Sequence, residues 1–132
     1  MIETSDAPQS IVIQAIPEAI KQARDFVAKV FGAWGLEDHI ARTVISELAT
    51  NAVRHGSAKG DLVIVRAYLL AGQPVVEAWD RSDALPVLQP ANYAAESGRG
   101  LLLMEQLVTR WGTRPLTEGG KVVWAELEPV PA

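Results

Sequence analysis

Two adjacent apolar stretches constrain this chain more than anything else in it. LVIVRAYLL (62–70) and PVVEAWD (74–80) are rich in β-branched and aromatic residues, and only Ala71, Gly72 and Gln73 separate them. Runs of that kind joined by a short glycine-bearing link form an antiparallel hairpin. A lone hairpin is marginal in water, so its apolar face has to be extended by further strands and covered by helices. The neighbouring segments supply both. IVIQA (11–15) reads as a strand, and RWGTRPL (110–116) with KVVWAEL (121–127), turned at Gly119 and Gly120, read as a second strand pair.

The covering helices are legible from periodicity. Ile16, Ile20, Ala23, Val27, Val30 and Trp34 recur at helical spacing, with Pro17 in the first turn and Gly32 and Gly35 closing the segment. A second helix is expected from Leu36 to His55, stopped by Gly56, with Leu36, Ile40, Val44, Ile45, Leu48 and Ala52 on its apolar arc. Between Arg81 and Ser97 the pattern breaks around Pro86 and Pro90, which reads as a long loop of the kind that serves as a lid or binding loop. GRGLLLMEQLVTR (98–110) then reads as a glycine turn running into a third helix. The expected order is β-α-α-β-β-loop-α-β-β. It belongs to the α+β class, a two-layer α/β sandwich whose mixed, mostly antiparallel sheet is covered on one face by three helices. The 132 residues suit one domain, expected over 11–128 after a flexible N-terminal stretch, 1–10.

Composition removes several chemistries. With no cysteine, the chain has no disulfide, thiolate metal site or cysteine nucleophile. The net charge of −4 argues against a direct nucleic-acid partner, whose phosphates call for a basic surface. Neither a secretory leader nor a membrane-spanning stretch is legible, so a cytoplasmic protein without a membrane partner is expected.

The apolar arc of the second helix carries a polar intrusion. Seven residues on a helix are nearly two turns, an offset of about 20°. Asn51 therefore lies almost along the axis from Val44, and Glu47, Asn51 and His55 share one line at i, i+4, i+8. Polar groups on a packing face need partners, because each unpaired one costs about 1–3 kcal/mol. A carboxylate one turn from a carboxamide suits a hydrated Mg²⁺, which takes a few hard oxygen ligands. A satisfied core asparagine with a capping histidine is the alternative. Two further features are ambiguous alone. Gly98, Arg99 and Gly100 precede a helix N-terminus, where free N–H groups and a guanidinium suit a phosphate; a simple hinge is the alternative. Asp80 shares a strand face with Val76 and Ala78, so its carboxylate stands where apolar residues stand and can accept from an exocyclic amine; a solvated strand-end aspartate is the alternative.

In this order, ELATNAVRHG (47–56), WDRS (79–82) and GRGLLL (98–103) resemble the N box and the two glycine boxes of the GHKL, or histidine-kinase-like, ATPases. The likeness runs from Pro17 to the ending WG…GGKVVWAEL and is nearest to the anti-sigma-factor serine/threonine kinases. The resemblance implies the Bergerat ATPase fold with ATP and Mg²⁺ between the helices and a lid over 81–97. It implies Asn51 as Mg²⁺ ligand, Glu47 as general base and Asp80 as acceptor for the adenine amine. Gly98, Arg99, Gly100 and Leu101 would line the phosphate side, with His55 shaping the end of the N box and Arg54 near phosphate. The function so implied is an anti-sigma factor that phosphorylates an anti-anti-sigma protein, with a sigma factor as its other partner and a homodimer as a further expectation. The alternative is a catalytically weak or inactive regulator that acts by protein binding. A sensor histidine kinase is not expected, since His39 and His55 both fall inside the ATPase-like region. Two departures bear on the site. Ser82 stands where the first glycine box usually has glycine, and Lys121 and Val122 stand where a threonine is frequent.

Overall fold

The computed structural model describes residues 7–55, 58, 60–82 and 104–132. Five strands are joined in one sheet: β1 (Gln9–Gln14), β2 (Leu62–Leu70), β3 (Gln73–Asp80), β4 (Arg110–Pro115) and β5 (Lys121–Glu126). Their spatial order is β1-β2-β3-β5-β4, and every pairing is antiparallel. The sheet expected to be mixed is thus antiparallel throughout these strands, because β2–β3 and β4–β5 are both hairpins and the longer connections return each strand in the opposite sense.

The first hairpin is tighter than the sequence suggests. Leu70 pairs with Gln73, leaving Ala71 and Gly72 as a two-residue turn with φ of 52° and 82°. Positive φ at both central positions is the primed geometry that matches strand twist, and it holds Ala71 in the left-handed region.

One face of the sheet is apolar and packed. Ile13 and Ala15, then Val63, Val65 and Ala67, then Val76 and Ala78, then Val123 and Ala125 alternate inward, and all are buried. A 3₁₀ turn at Pro17–Ala19 leads into α1 (Ile20–Ala33), which buries Ala23, Val27 and Phe31. The second helix, α2 (His39–His55), buries Ala41, Val44, Ile45, Leu48, Ala49 and Ala52 against β2, β3 and β5. It begins three residues later than its apolar pattern suggests. Gly35 (φ 74°) turns the chain, Leu36 leaves the helix to bridge with Pro131, and Glu37 accepts the His39 N–H at 2.6 Å. Residues 104–107 are helical and Met104 is fully buried. No helix among the described residues is long and apolar enough to cross a membrane.

The opposite face carries a polar and aromatic layer. Glu77 is fully buried there, accepting from the Tyr68 hydroxyl and the Trp79 indole N–H at 2.8 Å each, with Arg114 and Arg66 guanidinium nitrogens at 3.5 and 3.6 Å. Arg66 also lies over the Trp79 and Tyr68 rings, at 5.1 and 5.7 Å. Trp124 lies over Gly112, where an added Cβ would meet the indole at 2.8 Å, and Arg110 covers Trp124 while pairing with Glu126 at 2.8 Å.

Two measurements follow from these contacts. Asparagine tolerates the left-handed region better than alanine, so Ala71→Asn is expected to raise stability by about 1 kcal/mol, read as a higher urea midpoint at unchanged slope. Burial, then the hydrogen bond to Glu77 and its charge, push the Tyr68 hydroxyl up to about 12. The folded state therefore favours the protonated phenol. That contribution is whole below the unfolded value of about 10 and is lost as pH rises through the folded value. Urea unfolding should show wild type losing stability relative to Tyr68→Phe between about pH 10 and about pH 12, with no such divergence near neutrality.

Candidate functional site

Among the described residues, the buried positions of α2 are apolar except Asn51. Asn51 is 4 % exposed and lies among Leu48, Ala52 and their neighbours. Its carboxamide has no hydrogen-bond partner among the described residues. A buried amide without a partner costs about 1–3 kcal/mol, which marks the Asn51 carboxamide as a candidate for contact with a group outside the described residues. Glu47, one turn earlier on the same helix, is half-buried and holds a partner of its own. Arg54 lies exposed near the end of α2, and His55 closes the helix.

Asp80 ends β3 on the face that packs against α2, as its spacing from Val76 and Ala78 requires. It does not stand open at a rim. Lys121, directly across on β5, places its ammonium 3.1 and 3.0 Å from the two carboxylate oxygens, and the Ser82 N–H donates to Oδ1 at 2.9 Å. The side chains of the pair are 3 % and 0 % exposed for Lys121 and Asp80. Burial pushes the Asp80 carboxyl above the usual range, against the pull of the lysine and of the Ser82 N–H. Such a pair is costly to desolvate and adds little net stability while intact, yet removing one partner strands a buried charge.

The end of β5 is shaped for this contact. Gly120 has φ of 94°, and a Cβ added there would run into the Asp80 carbonyl oxygen. The Leu116 N–H closes the β4–β5 turn on the Gly120 carbonyl at 3.0 Å, which brings Lys121 alongside Asp80.

These residues sit within a region that matches known proteins. Residues 13–127 match the histidine kinase-like ATPase domain family. The chain belongs to that family. No curated protein matches it in sequence. Among solved structures, the histidine kinase-like chain is similar to the RsbU and RsbW domains of Rv1364c from Mycobacterium tuberculosis, at a TM-score of 0.67 and 22 % identity. That similarity covers 94 % of this chain but only 34 % of the other, so the histidine kinase-like domain spans about a third of that protein's solved length.

An ATPase domain of this family implies ATP as ligand, and the two ends of the site fit it differently. At the α2 end, the Asn51 oxygen is the kind of hard donor that magnesium takes. At the base end, the Asp80 oxygens already accept three N–H contacts from Lys121 and Ser82. Gly98, Arg99, Gly100 and Leu101, together with residues 83–97 of the expected lid, lie outside the described residues. Sequence reasoning missed the role of Lys121, counting it only as a lost hydroxyl. The signal was available in the register, since pairing the strand that ends at Asp80 with the one that begins at Lys121 puts the two side chains opposite each other. A separate cleft of about 650 Å³, lined by Val12, Leu62, Ile64 and Trp79 and by the β4–β5 turn, opens on the sheet face away from α2. It shares Asp80 only at its border and brings neither Asn51 nor Lys121 to its lining.

Gly120 offers the sharpest test of this geometry. Gly120→Ala must accept both a left-handed backbone and a collision with Asp80, and should lower stability by about 3 kcal/mol. Gly119→Ala, equally left-handed but with no neighbour within 4 Å of its added Cβ, should cost less. Urea unfolding of the two variants side by side measures the difference.

Proposed function

We propose that this chain is a single ATP-binding regulatory domain, an anti-sigma factor that phosphorylates a serine or threonine of an anti-anti-sigma protein. The observation that carries the reading is the buried Asn51 carboxamide, without a partner among the described residues, one turn after Glu47 on a helix packed against the strand that ends in Asp80. Asn51 would hold Mg²⁺ through its side-chain oxygen, and Asp80 would take the adenine amine. Gly98, Arg99, Gly100 and Leu101 would line the phosphates at the start of the third helix. ATP would supply the γ-phosphoryl group: as the substrate hydroxyl forms the new P–O bond, the bond from the γ-phosphorus to the β–γ bridging oxygen breaks, ADP leaves, and Glu47 takes the hydroxyl proton. The resemblance of the three sequence boxes to anti-sigma kinases supports this, and the fold shared with a chain containing RsbU and RsbW domains agrees with a regulatory role. A sigma factor and the anti-anti-sigma protein are the partners this reading requires, in the cytoplasm and without membrane attachment. A homodimer is part of the same proposal.

A second reading has an observation of its own. Lys121 on Asp80, with Ser82 and Val122 beside them, favours a domain that binds protein partners and turns over little or no ATP.

Calorimetry with ATP and Mg²⁺ separates these readings from a chain with no nucleotide site. Magnesium-dependent binding should weaken about tenfold or more in Asn51→Ala, since a charge-assisted oxygen contact is lost. Binding that ignores magnesium and survives that substitution would remove Asn51 from the site. For the kinase, Glu47→Ala should bind ATP as wild type does yet transfer labelled phosphate to a serine-bearing partner about 10²–10⁴-fold more slowly. No transfer by either protein favours the non-enzymatic regulator, and equal measurable transfer by both removes Glu47 from the role of base.

A further inference from the structure

The reading of Asp80 as the base acceptor leaves Lys121 unexplained, and the pair is too well formed to ignore. An amine bound to Asp80 has to be an N–H donor of modest size, reaching the carboxylate from the α2 side of the sheet. Lys121 meets that description from within the chain. Its ammonium reaches both carboxylate oxygens, at 3.1 and 3.0 Å, and its stem is buried with the carboxylate on the face that carries Ala78 and Val123. The backbone contributes to the arrangement, because Gly120 lets β5 approach the Asp80 carbonyl more closely than any side-chain-bearing residue could.

We propose that Lys121 is a built-in competitor for the purine base: its ammonium occupies the carboxylate that the adenine amine would use, and so sets the nucleotide affinity of the domain. The proposal rests on Asp80 being the base acceptor, and it assigns to Lys121 a role that neither the family resemblance nor the fold gives it. A base entering the site exchanges the two contacts of a charged ammonium for a hydrogen bond from a neutral amine, which is weaker. It must also move a buried side chain aside. Affinity for adenine nucleotides is therefore low in the wild-type chain and is raised by shortening residue 121.

The test compares wild type with Lys121→Thr by calorimetry, using ATP and inosine triphosphate with Mg²⁺. Inosine carries a carbonyl oxygen where adenine carries its amine, so it has nothing to offer a freed Asp80 at that atom. Lys121→Thr should bind ATP about tenfold or more tightly than wild type does, while inosine triphosphate gains little. The variant should also be less stable without nucleotide and show the larger thermal shift with it, because ATP then supplies the missing donor. A second measurement needs no variant. The ammonium of a lysine held by a buried carboxylate exchanges slowly and gives an observable ¹⁵N-coupled signal, and titrating ATP into wild type should shift or remove the Lys121 resonance. Equal or weaker ATP binding by folded Lys121→Thr, an equal gain for both nucleotides, or a Lys121 signal unchanged at saturating ATP overturns the competitor role and leaves the ATP site standing. Absence of nucleotide binding by wild type and variant alike overturns both.

Discussion

A carboxylate taken out of water has to be given donors, and β3 carries two of them to opposite faces of the same sheet. Asp80 points toward α2 and Glu77 away from it, and both side chains are fully enclosed. Each is answered from neighbouring strands, by Lys121 on β5 in one case and by Arg66 on β2 and Arg114 on β4 in the other. A one-residue slip of β5 against β3 would send Lys121 to the far face and leave Asp80 without a cation. Stranding a buried charge in that way costs about 3–5 kcal/mol, a large part of the stability of a small domain. The ion pairs thus select the strand register that the apolar alternation also prefers. Two independent requirements agree on one arrangement, which is how a sequence comes to specify a single structure.

The same requirement accounts for the difference between the two faces. Toward the helices the buried residues of the sheet are apolar apart from the Asp80–Lys121 pair, and α1 and α2 cover them. On the other face, long side chains do the covering. Tyr68, Trp79, Arg66 and Arg114 close over Glu77, and Trp124 lies in the space left by Gly112 beneath Arg110. Arginine and tryptophan suit such a layer because each presents a broad apolar surface while its polar atoms remain bonded.

Much of this was legible in the sequence, and what was not legible shares a cause. The hairpin, both long helices, the second strand pair and the inward alternation of Val76, Ala78 and Asp80 follow from local periodicity. So does the burial of Asn51 on α2. Leu36 continues the apolar repeat of α2 but belongs to a bridge with Pro131, a partner distant in sequence. Glu77 reads as an outward polar residue on a half-buried strand, and only the side chains of three other strand positions and Trp79 enclose it. Lys121 reads as an absent threonine until the pairing with Asp80 is known. In every case the missing information is the identity of a cross-chain neighbour, which no window of sequence contains.

The position of β1 sets its docking apart from the closing of the two hairpins. The β2–β3 and β4–β5 hairpins close over short turns and can form within microseconds of collapse. β1 has no such local partner. It pairs with β2 across the whole helical layer, Gln9 with Ala67 and Gln14 with Leu62, so its docking closes a loop that contains α1 and α2 entire. Loop-closure entropy opposes that step until the helices have packed, and chains dominated by such pairings refold in milliseconds to seconds. Until β1 arrives, β2 is an edge strand with a free row of N–H and C=O groups, and the interval before its docking is when this chain is most open to pairing with another copy of itself.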